Sequence, residues 1–167
     1  MLIRYEDPMD YAAVHRVNKS AFETPAEANL VNVLRKDAHP IVSLVAEENG
    51  EIVGHIMFSP VSLSDHGGFK IMGLGPMAVV PEQQGKGIGS ALVKAGLERC
   101  KELGFGAAVV LGHSGYYPRF GFAPSIRFGI GCESEVPQDA FMVLELQTGY
   151  LQSAKGIIKY NAAFNDV

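Results

Sequence analysis

Short apolar and β-branched runs, broken by turn residues, dominate the first half of the chain, and one long amphipathic stretch follows them. Leu2–Tyr5 predicts a first strand. Asp7-Pro8 opens a helix, with Asp7 as the cap and Pro8 at the first helical position, where its missing N–H costs nothing. Tyr11, Val14 and Val17 follow at helical spacing. Thr24-Pro25-Ala26-Glu27 reads as a capping box for a second helix, whose apolar face is Leu30, Val31 and Leu34. Residues 41–46 and 51–58 flank Asn49-Gly50, the strongest short-range hairpin signal, because both residues tolerate positive φ. His66-Gly67-Gly68 marks the next turn, and residues 71–80 a third run. Gly73, Gly75 and Pro76 interrupt that run, so it predicts a bulged or splayed strand. Residues 86–103 place Gly89, Leu92, Val93, Gly96, Cys100 and Leu103 on one stripe of a helix that Gly104 ends. Residues 107–111 and 141–146 predict two further strands, with one helical turn at 116–120.

This order gives an α+β (mixed α/β) fold with a central, largely antiparallel twisted sheet. One domain is expected over residues 1–147, with a C-terminal extension, 148–167, packed on it. The 167-residue chain is long enough to bury a core without metal or disulfide staples. A net charge of −4 argues against a general grip on nucleic acid. Cys100 and Cys132 stand apart, so neither a disulfide framework nor a cysteine zinc site is expected, and no metal is. No secretory leader and no membrane-length apolar run are read, so a cytoplasmic protein without membrane partners is expected.

The candidate chemistry sits in Val79-Val80-Pro81-Glu82-Gln83-Gln84-Gly85-Lys86-Gly87-Ile88-Gly89-Ser90, a strand running through a glycine-rich turn into a helix. The first turn of a helix offers unpaired N–H groups and the positive end of the dipole, and glycine lets a phosphate approach them. The spacing is neither the dinucleotide fingerprint nor a Walker A loop.

Gln84-x-x-Gly87-x-Gly89 after a strand resembles the acyl-CoA pyrophosphate motif of the GNAT N-acetyltransferase superfamily, and Tyr117-x-x-x-Gly121-Phe122 resembles a second element of that family. The lead-ins at residues 22–35 and 111–113 are similar to a bacterial subgroup of acetyltransferases. The resemblance implies a GNAT-like sheet of about six to seven strands with about four helices. It also implies direct transfer of acetyl from acetyl-CoA to a primary amine, carried by a small molecule or a peptide. CoA is then expected on Gln84, Gly85, Lys86, Gly87, Ile88, Gly89 and Ser90, with its pantetheine along Met77, Ala78 and Val79. A backbone N–H of Met77 or Ala78 would meet the thioester oxygen, and Tyr117 would protonate the leaving sulfur. Lys86 either meets phosphate or is simply solvated. Residues 71–77 carry none of the acids that many relatives use as base. His113 is the first candidate for that role, with a turn-holding role as its alternative, and Tyr116 is expected to point elsewhere. Glu23 and Glu27 lie where the family binds acceptor, although the capping box already accounts for Glu27. His55 is expected to be a packed residue. An acyl-CoA-binding regulatory module is the alternative function, and a homodimer is possible by family resemblance.

Overall fold

The computed structural model describes residues 1–64 and 66–167. Its strands are β1 (Leu2–Tyr5), β2 (Val42–Glu48), β3 (Glu51–Leu63), β4 (His66–Val79), β5 (Ala107–Leu111), β6 (Ala123–Pro124), β7 (Ile130–Cys132), β8 (Phe141–Glu145) and β9 (Gly156–Lys159). Its α-helices are α1 (Tyr11–Ala21), α2 (Ala26–Asp37) and α3 (Ile88–Glu102). The sheet runs β1-β2-β3-β4-β5-β8-β6, and β9 joins β3 to β7. Only β4–β5 and β7–β9 are parallel, so the α+β expectation holds. The described residues hold nine strands and three α-helices, where six to seven and four were expected. The added strands, β6, β7 and β9, are short and exist by pairing with longer neighbours. The missing helix is a 3-10 turn at Tyr117–Phe120.

The Asn49-Gly50 hairpin forms with both residues at positive φ, 52° and 81°. β4 begins at His66, so Gly67 and Gly68 belong to a strand and not to the expected turn; Asp65 lies outside the described residues. Asp7 does cap, but the turn it starts is a 3-10 turn at Pro8–Asp10 that leads into α1. The second capping box does not form. Thr24 Oγ1 accepts from Ala26 N–H at 3.3 Å, while Glu27 Oε1 is buried with no partner.

Strand alternation sorts the core into two faces. Val42, Leu44, Ala46, Ile56 and Phe58 pack with Leu92, Val93, Leu97 and Cys100 of α3. Val45 and Met57, at the intervening positions, pack with Val14, Leu30, Val31 and Leu34 of α1 and α2. Gly96 lets α3 close on the sheet, since a Cβ there would lie 2.2 Å from Phe58 Cε1.

A buried polar chain threads the α1/α2 face. Asn18 Nδ2 donates to Val14 O and to His55 Nδ1, both at 3.1 Å. That makes Nδ1 an acceptor, so Nε2–H donates to Ser43 Oγ at 2.9 Å, and the Ser43 hydroxyl donates to Glu6 Oε2 at 2.9 Å. Arg35 closes the chain in an ion pair with Glu6. His55 is thus the packed residue expected, fully buried and neutral. Burial, and then the Arg35 charge, hold its pKa down to about 3 from 6.5. A second ring proton would also point at the Asn18 amide, itself a donor.

The depressed pKa fixes the sign of a pH effect. The unfolded chain takes up a proton below about pH 6.5 and the folded one does not until about pH 3, so stability is full above pH 6.5 and falls as pH drops through that window. Chemical denaturation at several pH values should show the wild-type advantage over His55→Gln shrinking by about 1.4 kcal/mol per pH unit below pH 6. A pH-independent difference would contradict the neutral, buried assignment.

Candidate active site

β4 follows β5 for only three residue pairs, Ile71 to Gly73 against Ala107 to Val109. Beyond Gly73, β5 continues against β8. β4 continues against β3 alone, through a bulge in which Leu74 pairs with Phe58 and Met77 with Ile56. Gly75 and Pro76 together oppose Met57, one residue more on β4 than on β3, as the interrupted run predicted. Met77, Ala78 and Val79 are therefore an edge on one side. Val80 N–H bonds Val53 O across to β3. Alternation turns the amides of Met77 and Val79 the other way, into the gap, and that of Ala78 toward β3. Of the two oxyanion donors the sequence offered, strand geometry presents Met77.

β4 ends in a 3-10 turn, Pro81–Gln83, and the glycine segment follows. Gln84 Nε2 donates to Val79 O at 2.9 Å, tying the segment back to the strand it leaves. Gly85 and Gly87 stand at φ 78° and 86°, and a Cβ on either would meet nothing within 4 Å. These glycines thus serve the backbone twist and an open surface, not internal packing. Gly87 is the N-cap, so α3 begins at Ile88, two residues later than its apolar stripe suggested. No side chain caps that end, and the first helical bond is Ala91 N–H to Gly87 O. The amides of Ile88, Gly89 and Ser90 remain free for an anion. The Lys86 ammonium, exposed, donates to Gln83 Oε1 at 3.3 Å.

The tyrosine turn stands beside this entry. His113 O accepts from Tyr116 N–H at 3.1 Å and Tyr117 N–H at 3.4 Å, while the His113 side chain is exposed. The Tyr117 ring needs Gly112, where a Cβ would lie 2.6 Å from Cε2. Tyr117 is 8% exposed, and its hydroxyl has no hydrogen-bond partner among the described residues. Burial pushes its pKa up to about 12, so the phenol holds its proton. Tyr116 packs edge-on against Tyr117, with centroids 5.1 Å apart, and points at the head of α3. Its hydroxyl is 3.0 Å from Ser90 Oγ. Tyr116 thus joins the two motifs, a contact that no spacing in the sequence announces. Cys100 is buried with its thiol pushed up to about 12, which leaves it inert. No group of three or more metal-ligating side chains occurs among the described residues. No described helix is long and apolar enough to cross a membrane.

A sheet opened at its centre, with free amides along one edge and at the helix below, is the architecture of an acyltransferase that works on a carrier thioester. The Acetyltransferase (GNAT) family profile matches residues 10–122, and the chain belongs to that family. It is 34% identical to the N-acetyltransferase YhbS of Escherichia coli K12 over 166 residues, 99% of each chain. The crystal structure of E. coli YhbS in complex with CoA superposes with a TM-score of 0.92 at 34% identity, covering 98% of this chain and 91% of that one. A GNAT family acetyltransferase from Brucella melitensis, in complex with acetyl-CoA, superposes with a TM-score of 0.77 at 35% identity, covering 98% and 97%. The protein is an N-acetyltransferase of the GNAT fold, as its two motifs implied.

The Tyr116–Ser90 bond joins the tyrosine turn to the helix entry. Tyr116→Phe and Ser90→Ala should each cost about 0.5–1.5 kcal/mol of unfolding free energy, and the double variant less than their sum. Full additivity in the double-mutant cycle would show that the hydroxyls do not meet in solution.

Proposed function

We propose that this protein transfers the acetyl group of acetyl-CoA directly to a primary amine. The observation that carries the reading is the continuity of unpaired donors: the Met77 and Val79 edge leads straight into the free amides of α3. In this reading the CoA pyrophosphate rests on the turn from Gly85 to Ser90, and its peptide-like arm pairs with the open edge of β4. The Met77 N–H faces the thioester oxygen as negative charge develops there. The amine nitrogen bonds to the carbonyl carbon, the C–S bond breaks, and the electron pair leaves on sulfur. Tyr117 donates a hydrogen bond to that sulfur. A thiol pKa of about 8.5 lies below the Tyr117 value of about 12, so complete proton transfer from the phenol is uphill. The phenol therefore stabilises the thiolate in place, and the proton lost by the amine makes up the balance. His113 beside the turn, or water, takes that proton. The free hydroxyl of Tyr117 favours catalysis over the regulatory-module alternative. A cytoplasmic location belongs to the same proposal.

Two substitutions test it. Tyr117→Phe keeps the ring and removes the donor; kcat should fall on the order of 10- to 100-fold with acetyl-CoA affinity within a few-fold. Full activity at unchanged melting temperature would make the hydroxyl structural. Gly87→Ala puts a methyl into the open surface at a left-handed position. The strain is of order 1–2 kcal/mol, which the fold tolerates. Calorimetric titration should show acetyl-CoA binding weakened by more than about tenfold. Unchanged affinity would remove the phosphate from this turn.

A further inference from the structure

Four buried side-chain atoms among the described residues have no hydrogen-bond partner: Asn18 Oδ1, Glu27 Oε1, Ser59 Oγ and Tyr160 Oη. Each has forfeited its hydration without a replacement, which native proteins rarely tolerate. Asn18 already spends its amide hydrogens in the His55 chain. The other three lie outside that network.

Ser59 is fully buried and pairs with Gly73 across β3 and β4. Directly opposed residues share a face, so the Ser59 hydroxyl stands beside the empty side-chain position of Gly73. Tyr160 fills that position: a Cβ on Gly73 would lie 2.8 Å from Tyr160 Cε1. Gly73 is also the last residue of β4 that β5 holds. Two residues on, within the bulge, a Cβ on Gly75 would meet Phe164 Cε1 at 4.0 Å. The Phe164 and Tyr160 rings lie 5.1 Å apart. Tyr160 and Phe164 therefore cover β4 where the sheet opens. They cover it on the face away from α3, because Met72 and Leu74, at the alternate positions, join the α3 cluster. The segment that carries them is anchored by β9 on β3, and Ala163 and Phe164 pack on the α2 cluster.

Glu27 belongs to the same face. It lies on the inward stripe of α2, at helical spacing from Leu30, Val31 and Leu34. Arg35, paired with Glu6 next to β1, holds the other end of α2 over the first strands. The N-terminal turn of α2 is thus the end directed toward β4 and Phe164.

We infer that the C-terminal segment 156–166 is the acceptor-side wall of the transfer site, and that the Ser59 and Tyr160 hydroxyls with the Glu27 carboxylate receive the ammonium of a small primary amine. The inference rests on the acetyltransferase reading above. An ammonium brings three N–H donors, and three unpaired acceptors wait for them. The strand before the glycine turn has no acid, and Glu27 offers a buried, unpaired carboxylate oxygen from α2. The aromatic faces of Tyr160 and Phe164 add cation–π attraction. A roof made by the chain itself favours a slender amine over a protein terminus.

The test uses the full chain with acetyl-CoA and propylamine, butylamine, 1,4-diaminobutane or phenethylamine, reading released CoA with a thiol reagent. The wild-type protein should acetylate at least one of them. Glu27→Gln should raise KM for that amine about tenfold or more, with a smaller change in kcat. Tyr160→Phe and Ser59→Ala should raise it a few-fold. Acetyl-CoA affinity should not change, and Tyr160→Phe should melt no lower than wild type, because the lost hydroxyl had no partner. Unchanged KM in all three variants overturns the inference. So does a wild-type protein that binds acetyl-CoA yet acetylates none of these amines, or that prefers a tripeptide N-terminus. Failure of the wild-type protein to bind acetyl-CoA at all sinks the acetyltransferase reading, and the inference with it.

Discussion

The release of β4 from β5 after Gly73 is the constraint on which the site depends. Parallel strands hold each other by evenly spaced bonds and have no local reason to part. Here the reason lies on the other side of β4. Its pairing with β3 sets two residues, Gly75 and Pro76, opposite Met57 alone, and proline has no N–H to offer β5. The bulge bends β4 away while its register with β3 resumes at Met77. One local irregularity thus produces an edge in the middle of a nine-stranded sheet, where edges are normally covered.

The rest of the architecture keeps that opening fixed. α3 is clamped to the sheet by the Gly96–Phe58 approach. Gln84 pins the glycine segment to the end of β4. Tyr116 ties the turn after β5 to the first turn of α3. The gap is therefore bridged at its base by side chains, so β4 and β5 diverge to a set distance. On the opposite face, α1 and α2 are locked to β1, β2 and β3 by the Glu6–Arg35 pair and the His55 chain. A buried ion pair of this kind is weak evidence for net stability. Its value here is geometric: it fixes which end of α2 reaches toward the opening.

Much of this was readable from the sequence, for identifiable reasons. Asn49-Gly50, the apolar stripe of α3 and the glycines of the turn are local signals, set by backbone sterics within a few residues. The bulge was legible for the same reason, since Gly75-Pro76 inside an apolar run resists an even ladder. β6, β7 and β9 were not, because two to four residues carry no periodicity and these strands form only by adding to others. The start of α3 was misplaced because Lys86 and Gly87 fit the helical spacing, and only the left-handed φ of Gly87 excludes them. Glu27 was misread because Thr-x-x-Glu spells a capping box, whereas the entry through Pro25 turns the carboxylate inward. The Tyr116–Ser90 contact joins residues 26 positions apart, and nothing in either motif encodes the other's address.

The distribution of satisfied and unsatisfied polar groups follows one rule. In the interior behind α1 and α2 the polar groups are paired, save Asn18 Oδ1. His55 sits in the dry interior with both ring nitrogens bonded, and donation runs in one direction from Asn18 through His55 and Ser43 to Glu6, which also accepts from Arg35. Around the opening the accounting reverses. The edge amides of Met77 and Val79, the first amides of α3 and the Tyr117 hydroxyl are left without protein partners. On the far face, Ser59, Tyr160 and Glu27 are left the same way. For Ser59, Tyr160 and Glu27, whose bare atoms are buried, folding alone gives no reason for the arrangement, because each costs free energy that an apolar substitute would not. The bare groups form two sets, the donors along the opened edge of β4 and at the head of α3, and the acceptors on the face away from α3. A thioester approaching along the edge and an amine approaching beneath the C-terminal wall would satisfy both sets at once, and would meet where β4 leaves β5.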